Sequence, residues 1–147
     1  MKLLVIHGPN LNMLGMREPG IYGADTLTEV NAKIAAYALS KNQSLEMEFY
    51  QSNHEGALID KIHACFQDGI AGIIINPGGY THTSIALRDA ISAVSIPTVE
   101  VHLSNVHARE QFRQHSYIAP VAIGQIAGFG PAGYLMALDG LLSHVNC

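Results

Sequence analysis

Residues 70–75, Ile-Ala-Gly-Ile-Ile-Ile, carry no polar side chain. A strand with one wet face alternates apolar and polar residues, so an unbroken apolar run reads as a strand buried on both faces. Such a strand needs a layer on each side, and the flanking segments supply them. Residues 3–6 form a second apolar run. Thr26 and Glu29 make a capping box, and Leu27, Val30, Ile34, Ala35 and Ala38 then recur at helical spacing. Residues 45–50 alternate, with Leu45, Met47 and Phe49 against Glu46, Glu48 and Tyr50, as a half-exposed strand does. Leu58, Ile59, Ile62, Cys65 and Phe66 mark the apolar face of a second helix, which Gly69 is placed to end. A third helix is expected over residues 84–94 and a fourth strand over 97–101. Residues 119–126 hold a weaker fifth strand. Pro131 suits the first turn of a last helix carrying Leu135, Leu138, Leu142 and Val145.

The order is βαβαβαβ, a short helical stretch, then βα. This alternation argues for an α/β protein with a parallel sheet covered on both faces. Five strands suit a flavodoxin-like, doubly wound sheet in the order 2-1-3-4-5. The 147 residues fit a single domain, residues 1–147. Only 14% of them are charged, against about 25% on average, which suggests that other subunits cover part of the surface. A net charge of −4 gives no reason to expect a nucleic-acid partner. No apolar run approaches the roughly 18 residues of a membrane span. The N-terminus passes from a strand directly into a loop and lacks a signal-peptide pattern, so a cytoplasmic protein is expected. Cys65 and Cys147 form no CxxC motif, and Cys65, on a helix's apolar face, should be a buried free thiol.

The connection after the first strand is the longest. His7 to Gly23 contains four glycines, two prolines, two asparagines, Arg17 and Tyr22. Connections usually run about 4–6 residues, and much longer ones are functional or disordered. Ligands in open α/β sheets bind at the carboxyl ends of the strands, near the switch in strand order. After strand 1 come His7, Asn10, Asn12, Arg17 and Tyr22; after strand 3 come Asn76 and the residues up to His82. Strand 4 ends in Glu100-Val101-His102, followed by Leu103, Ser104 and Asn105. Strand 2 ends in Gln51-Ser52-Asn53-His54, a poorer set placed farther from the switch point. All four lysines (Lys2, Lys33, Lys41 and Lys61) fall at the start of strand 1 or on the first two helices, whereas Arg17, Arg109 and Arg113 fall in the rim segments. Lysine forms Schiff bases and arginine grips anions and hydroxyls. The site therefore favours an anionic or polyhydroxylated ligand handled without an imine.

Glu100 and His102 are two apart on one strand and point to one side. The imidazole suits a general acid or base and the carboxylate suits orienting it; a histidine that merely ends a strand is the plainer alternative. Tyr22 is either a packing tyrosine or a base. An unperturbed phenol has a pKa of about 10, so roughly one in a thousand is ionised at neutral pH. Lowering that by about three units takes about 4 kcal/mol, and a guanidinium at about 4 Å with an effective dielectric near 20 supplies roughly that. Arg17, five residues away on a Gly/Pro-rich loop that could fold it onto Tyr22, is the candidate. His82, Arg113 and Asp89 look like hydroxyl- or charge-binding groups, although Arg88 and Asp89 also read as an exposed ion pair. His54, His63, His115 and His144 have no partner pattern. Gly128, Gly130 and Gly133 match GxGxxG but come at the end of the chain, with no acidic residue about 20 positions on, so helix packing accounts for them better. The histidines show no HExxH and no cysteine cluster.

Four segments then carry a resemblance. GPNLNMLGMREPGIYG at residues 8–23, NPGGYTHTS at 76–84, ALRDA at 86–90 and EVHLSNVHAREQFRQHS at 100–116 together resemble type II 3-dehydroquinate dehydratase, the type II dehydroquinases. The resemblance implies conversion of 3-dehydroquinate to 3-dehydroshikimate and water, by anti elimination through an enolate in the shikimate pathway. It implies no metal and no cofactor, and a homo-oligomer, a dodecamer built as a tetramer of trimers. Tyr22 would be the base, Arg17 its stabiliser, and Asn10 the holder of a water at the enolate. His102 would protonate the departing hydroxyl, oriented by Glu100, with Asn76 nearby. The substrate carboxylate would meet Leu103 and Ser104. Arg113, His82 and Asp89 would bind ring hydroxyls, Asp89 from a neighbouring subunit, and Arg109 would lie near a closing loop. His7 stands where asparagine is expected in many members. The competing expectation is a non-catalytic flavodoxin-like module that binds FMN or a small acid.

Overall fold

Five parallel strands lie side by side in the order β2-β1-β3-β4-β5. The structure is a computed structural model and describes residues 1–16, 20 and 24–146. The strands are β1 (Lys2–His7), β2 (Glu46–Gln51), β3 (Ile70–Asn76), β4 (Thr98–His102) and β5 (Gly124–Ala127). The helices are α1 (Leu27–Lys41), α2 (Glu55–Asp68), α3 (Ile85–Val94) and α4 (Ala132–Val145). Short 3-10 turns at Leu11–Met13, Gly78–His82, Val106–Ala108 and Gln111–Arg113 follow the ends of β1, β3 and β4, and a fifth at Ala119–Val121 packs against α3 on the way to β5.

Side-chain alternation along each strand feeds two cores. Leu3, Val5, Ile74, Val99 and Val101 pack on one face against α1 and α4. Leu4, Ile6, Ile73 and Ile75 pack on the other against α2 and α3. Both faces of β3 are thus covered, as its apolar run requires. Helix ends follow their capping chemistry. Thr26 Oγ1 accepts the Glu29 N–H at 3.2 Å and Ser84 Oγ accepts the Leu87 N–H at 2.9 Å. Gly69 closes α2 at φ 70°, a left-handed conformation that glycine adopts without steric cost.

Four sequence expectations are corrected. Phe66 is 75% exposed; at 100° per residue it sits about 80° round the helix from Leu58, past the edge of the buried stripe. Residues 119–126 do not form one strand. Ala119–Val121 coils as a 3-10 turn and the strand is only Gly124–Ala127, because Pro120 has no N–H to give a ladder. Pro131 is the N-cap of α4 rather than a residue of its first turn, and the most buried positions of that helix are Gly133, Tyr134, Ala137, Leu138 and Leu141. The alternation expected of β2 is muted, since Met47 to Gln51 are all half-buried. Its Glu48 is held by Lys2 at 2.9 Å and by Lys61, which covers the polar face.

Candidate active site

A cavity of about 220 Å³ opens at the carboxyl ends of β1, β3 and β4. It is smaller than the roughly 300–1,000 Å³ of pockets for drug-sized ligands and suits a compact molecule. Of the residues singled out from sequence, Asn10, Asn76, His82, His102, Leu103, Ser104, Arg109 and Arg113 line it. Tyr22 and Arg17 lie outside the described residues. Asp89 is exposed on α3 and does not line the cavity.

The turn after β1 is pinned from both sides. Asn10 adopts a left-handed conformation at φ 68°, one that asparagine tolerates better than most residues. Its N–H donates to Asn53 Oδ1 at 2.9 Å, and Gln51 Nε2 donates to the Gly8 carbonyl at 3.1 Å. The end of β2, which seemed remote, therefore supports the site. Gly8 has no room for a side chain, because an added Cβ would lie 2.3 Å from the Pro77 carbonyl oxygen.

Glu100 and His102 occupy one side of β4, as their spacing predicts. Glu100 is fully buried, and its Oε2 lies 3.1 Å from His102 Nε2. Nε2 makes no aligned hydrogen bond, so the contact is electrostatic rather than directional. Ser116 Oγ donates to Glu100 Oε1 at 2.6 Å, and Gln125 Nε2 donates to Oε2. Burial pushes the Glu100 carboxyl upward, but His102, Ser116 and Gln125 outweigh it and hold the group below its ordinary range. The site thus carries a buried carboxylate, fixed by two donors, against an imidazole that faces the cavity.

His82 stacks 6.5 Å from the His102 ring. Its Nδ1 lies 2.7 Å from the His115 carbonyl. A carbonyl only accepts, so the proton sits on Nδ1. Burial lowers the pKa of His82, and the nearby His102 and Arg113 add to that against the pull of the His115 carbonyl. A neutral His82 then has Nε2 as an acceptor. Arg109 donates to Ser104 Oγ at 3.2 Å, and Arg113 pairs with Glu110 at 2.6 Å.

His7 was expected among the rim groups. It is instead fully buried and does not line the cavity, because it shares the alternation of Leu3 and Val5 and points under α4. Ser116, Gln125, Asn53 and Tyr134 were not singled out. Ser116 stood inside a quoted segment, and Tyr134 was the only hydroxyl on the buried face of α4, where a phenol requires a partner. None of the four lysines lines the cavity. Among the described residues no cluster of three or more His, Cys, Asp or Glu stands close enough to hold a metal ion. Cys65 is a free, buried thiol, and burial pushes its pKa up to about 11. No helix among the described residues is long and apolar enough to cross a membrane.

A model of the family described as Dehydroquinase class II matches residues 1–142. The chain belongs to the class II dehydroquinase family. A 3-dehydroquinate dehydratase of Nostoc sp. is 58% identical, covering 99% of this chain and 97% of its own. 3-Dehydroquinate dehydratase 1 of Ralstonia nicotianae is 60% identical, covering 97% and 90%. The crystal structure of the type II dehydroquinase from Butyrivibrio crossotus superposes with a TM-score of 0.93 at 55% identity, over 96% of this chain and 97% of that one. The dehydroquinase fold and the sheet order 2-1-3-4-5 agree, and a non-catalytic module is not favoured.

Proposed function

We propose that this chain dehydrates 3-dehydroquinate to 3-dehydroshikimate in the cavity at the strand ends. One observation carries the reading: a buried Glu100 carboxylate lies 3.1 Å from His102 on the wall of a small cavity, in a chain of the class II dehydroquinase family. The rest of the polar lining comprises amides, a hydroxyl, an imidazole and two arginines, which suits a hydroxylated acid.

The ketone makes the neighbouring carbon acidic. Tyr22, as phenolate beside Arg17, takes a proton from that carbon. The C–H electron pair becomes the enolate double bond, and the carbonyl oxygen takes the charge. Donors aimed at such an oxygen are often the largest contribution to catalysis, and Asn10 holds a water there. The enolate then re-forms the carbonyl and expels the hydroxyl on the far carbon, which His102 protonates to water. Glu100 orients His102 throughout. Leu103 and Ser104 take the carboxylate, while Arg113, His82 and Asn76 take ring oxygens. Arg109, bonded to Ser104, is the residue proposed to lie near the loop that closes over the substrate.

Asp89 completes the set from a neighbouring copy. Its exposure on α3, away from its own cavity, supports that placement. The assembly is proposed as a dodecamer, a tetramer of trimers. Exposed Phe112 and Phe129, each 62% accessible, and the low charge content favour covered surface. The setting is proposed as cytoplasmic.

The test is absorbance of the conjugated enone on mixing the purified chain with 3-dehydroquinate. A steady rise is expected; none at any protein concentration rejects the activity. Tyr22→Phe should abolish the rise yet leave substrate binding measurable by calorimetry, and near-native turnover by that variant removes Tyr22 as the base.

A further inference from the structure

Behind Asn76, beneath the cavity, lies a polar chain whose other members the steps above do not use. Tyr134, fully buried on α4, has its hydroxyl 3.1 Å from Asn76 Nδ2 and 3.0 Å from His7 Nδ1. The other ring nitrogen of His7, Nε2, lies 2.8 Å from Asn31 Oδ1 on α1. Asn76 Oδ1 accepts the Gly78 N–H at 3.2 Å. His7 and Asn76 are direct partners across β1 and β3, so the chain runs under the sheet end from helix α1 to the cavity floor.

Each proton in this chain has one possible place. The Gly78 N–H can only donate, so the oxygen end of the Asn76 amide faces it and the NH2 end faces Tyr134. The phenol oxygen therefore accepts from Asn76. Its own proton, cut off from water, needs an acceptor, and only His7 Nδ1 is in reach to serve. His7 must then carry its proton on Nε2, and it gives that bond to Asn31 Oδ1. A charged His7 would point a second donor at the phenol and orphan the phenol proton. A buried group left unpaired in this way costs about 1–3 kcal/mol. Burial lowers the His7 pKa to about 4, against the pull of Asn31, so the neutral ring is the resting form.

We propose that Asn31, His7 and Tyr134 form a proton-ordered anchor that holds the Asn76 amide with its nitrogen end fixed, so that its second N–H serves as a donor to a ligand oxygen. These three are positioning residues, since all act through Asn76. Without the anchor only the Gly78 N–H, on the oxygen end, would hold the amide, and its nitrogen end would be left without a fixed partner. The inference rests on the dehydratase reading for its kinetic consequence.

The experiment is a double-mutant cycle in the enone assay with the parent, Tyr134→Phe, Asn76→Ala and the double variant. Phenylalanine fills the same space and removes only the hydroxyl. Tyr134→Phe should lower kcat/KM about tenfold, and Asn76→Ala by more. The double variant should match Asn76→Ala within about threefold, because the hydroxyl then has nothing left to hold. Losses that multiply would show a general packing role and overturn the proposal, as would a Tyr134→Phe variant with parental kcat/KM. Asn31→Ala serves if Tyr134→Phe does not fold. It leaves the core packing intact, and its smaller loss should likewise vanish in the Asn76→Ala background. A second readout does not depend on turnover. Nitrogen NMR of the His7 ring should show the proton on Nε2 in the parent and a shift toward mixed tautomers in Asn31→Ala. A parent ring protonated on Nδ1 would sink the anchor even in an active protein. A parent that forms no enone would remove the dehydratase reading while leaving that tautomer result to stand.

Discussion

Two buried histidines end strands on either side of β3, His7 on β1 and His102 on β4, and they sit in opposite electrostatic surroundings. Both are nearly inaccessible, at 0% and 5%. His102 faces the Glu100 carboxylate at 3.1 Å, and that carboxylate is itself held by Ser116 and Gln125. His7 faces a phenol and an amide. Burial disfavours a charged imidazole unless a counter-charge is buried with it. His7 has no such partner at hydrogen-bond distance, and its pKa falls to about 4. It becomes a neutral, directional strut. His102 has a buried carboxylate beside it, a partner that can orient the ring for the proton-donor role proposed above. The same residue type is a neutral strut beside neutral dipoles and, in the function proposed above, a proton donor beside a carboxylate.

The largest effect should come from erasing that difference at His102. Glu100→Gln keeps the shape and removes the charge. The expected loss in kcat is about a thousandfold, within the range for general acid–base groups and equivalent to about 4 kcal/mol of barrier. The enone assay measures it directly. A loss of less than tenfold would mean that His102 needs only a hydrogen-bond acceptor behind it, and the contrast with His7 would then fail.

The next test acts on His7 and reads stability. Its ring titrates near 6.5 when unfolded and near 4 when folded. Between those values the unfolded chain binds more protons, so stability falls as pH drops through the window and is flat above it. The total is about 3 kcal/mol at the acid end. Asparagine cannot take up a proton, so His7→Asn should flatten the stability curve between about pH 7 and about pH 4. Urea unfolding at several pH values checks this. Curves that stay parallel for parent and variant would show that another group carries the acid sensitivity; His82, whose pKa is also lowered by burial, is the first alternative.

The contrast between the two histidines also shows what a sequence exposes. Strands and helices were legible because apolar spacing reports burial directly, as in β3 and α1. The cavity was legible because parallel sheets place ligands at strand ends, which singled out Asn10, Asn76, His102 and Ser104. Glu100 and His102 were legible as a pair because spacing of two on a strand fixes a common side. His7 was misread as a rim group, although its alternation with Leu3 and Val5 pointed it into the core. Tyr134 lies 127 residues from His7, and no periodicity links such distant partners. Ser116 reaches Glu100 only because the irregular stretch between β4 and β5 folds back, and turns of three residues leave no repeating signal; Gln125 meets Glu100 through the β4/β5 register, which a four-residue strand does not announce. Asp89, if it serves a second copy, has no trace of that role in the contacts of its own chain.

The smallest effect concerns the support behind Glu100 and tests whether its charge or its exact pose matters more. Ser116 Oγ donates to Glu100 Oε1 at 2.6 Å and accepts the N–H groups of Ile118 at 3.1 Å and Ala119 at 2.9 Å. Ser116→Ala removes all three bonds. The two N–H groups find other partners at some cost, so a stability loss of about 1–2 kcal/mol is expected, read as a lower urea midpoint. Glu100 keeps Gln125 and His102 on its other oxygen, so the carboxylate remains charged and close to the imidazole. Turnover should fall less than tenfold, far short of Glu100→Gln. Equal losses in the two variants would make the orientation of the carboxylate, rather than its charge, the feature that separates His102 from His7.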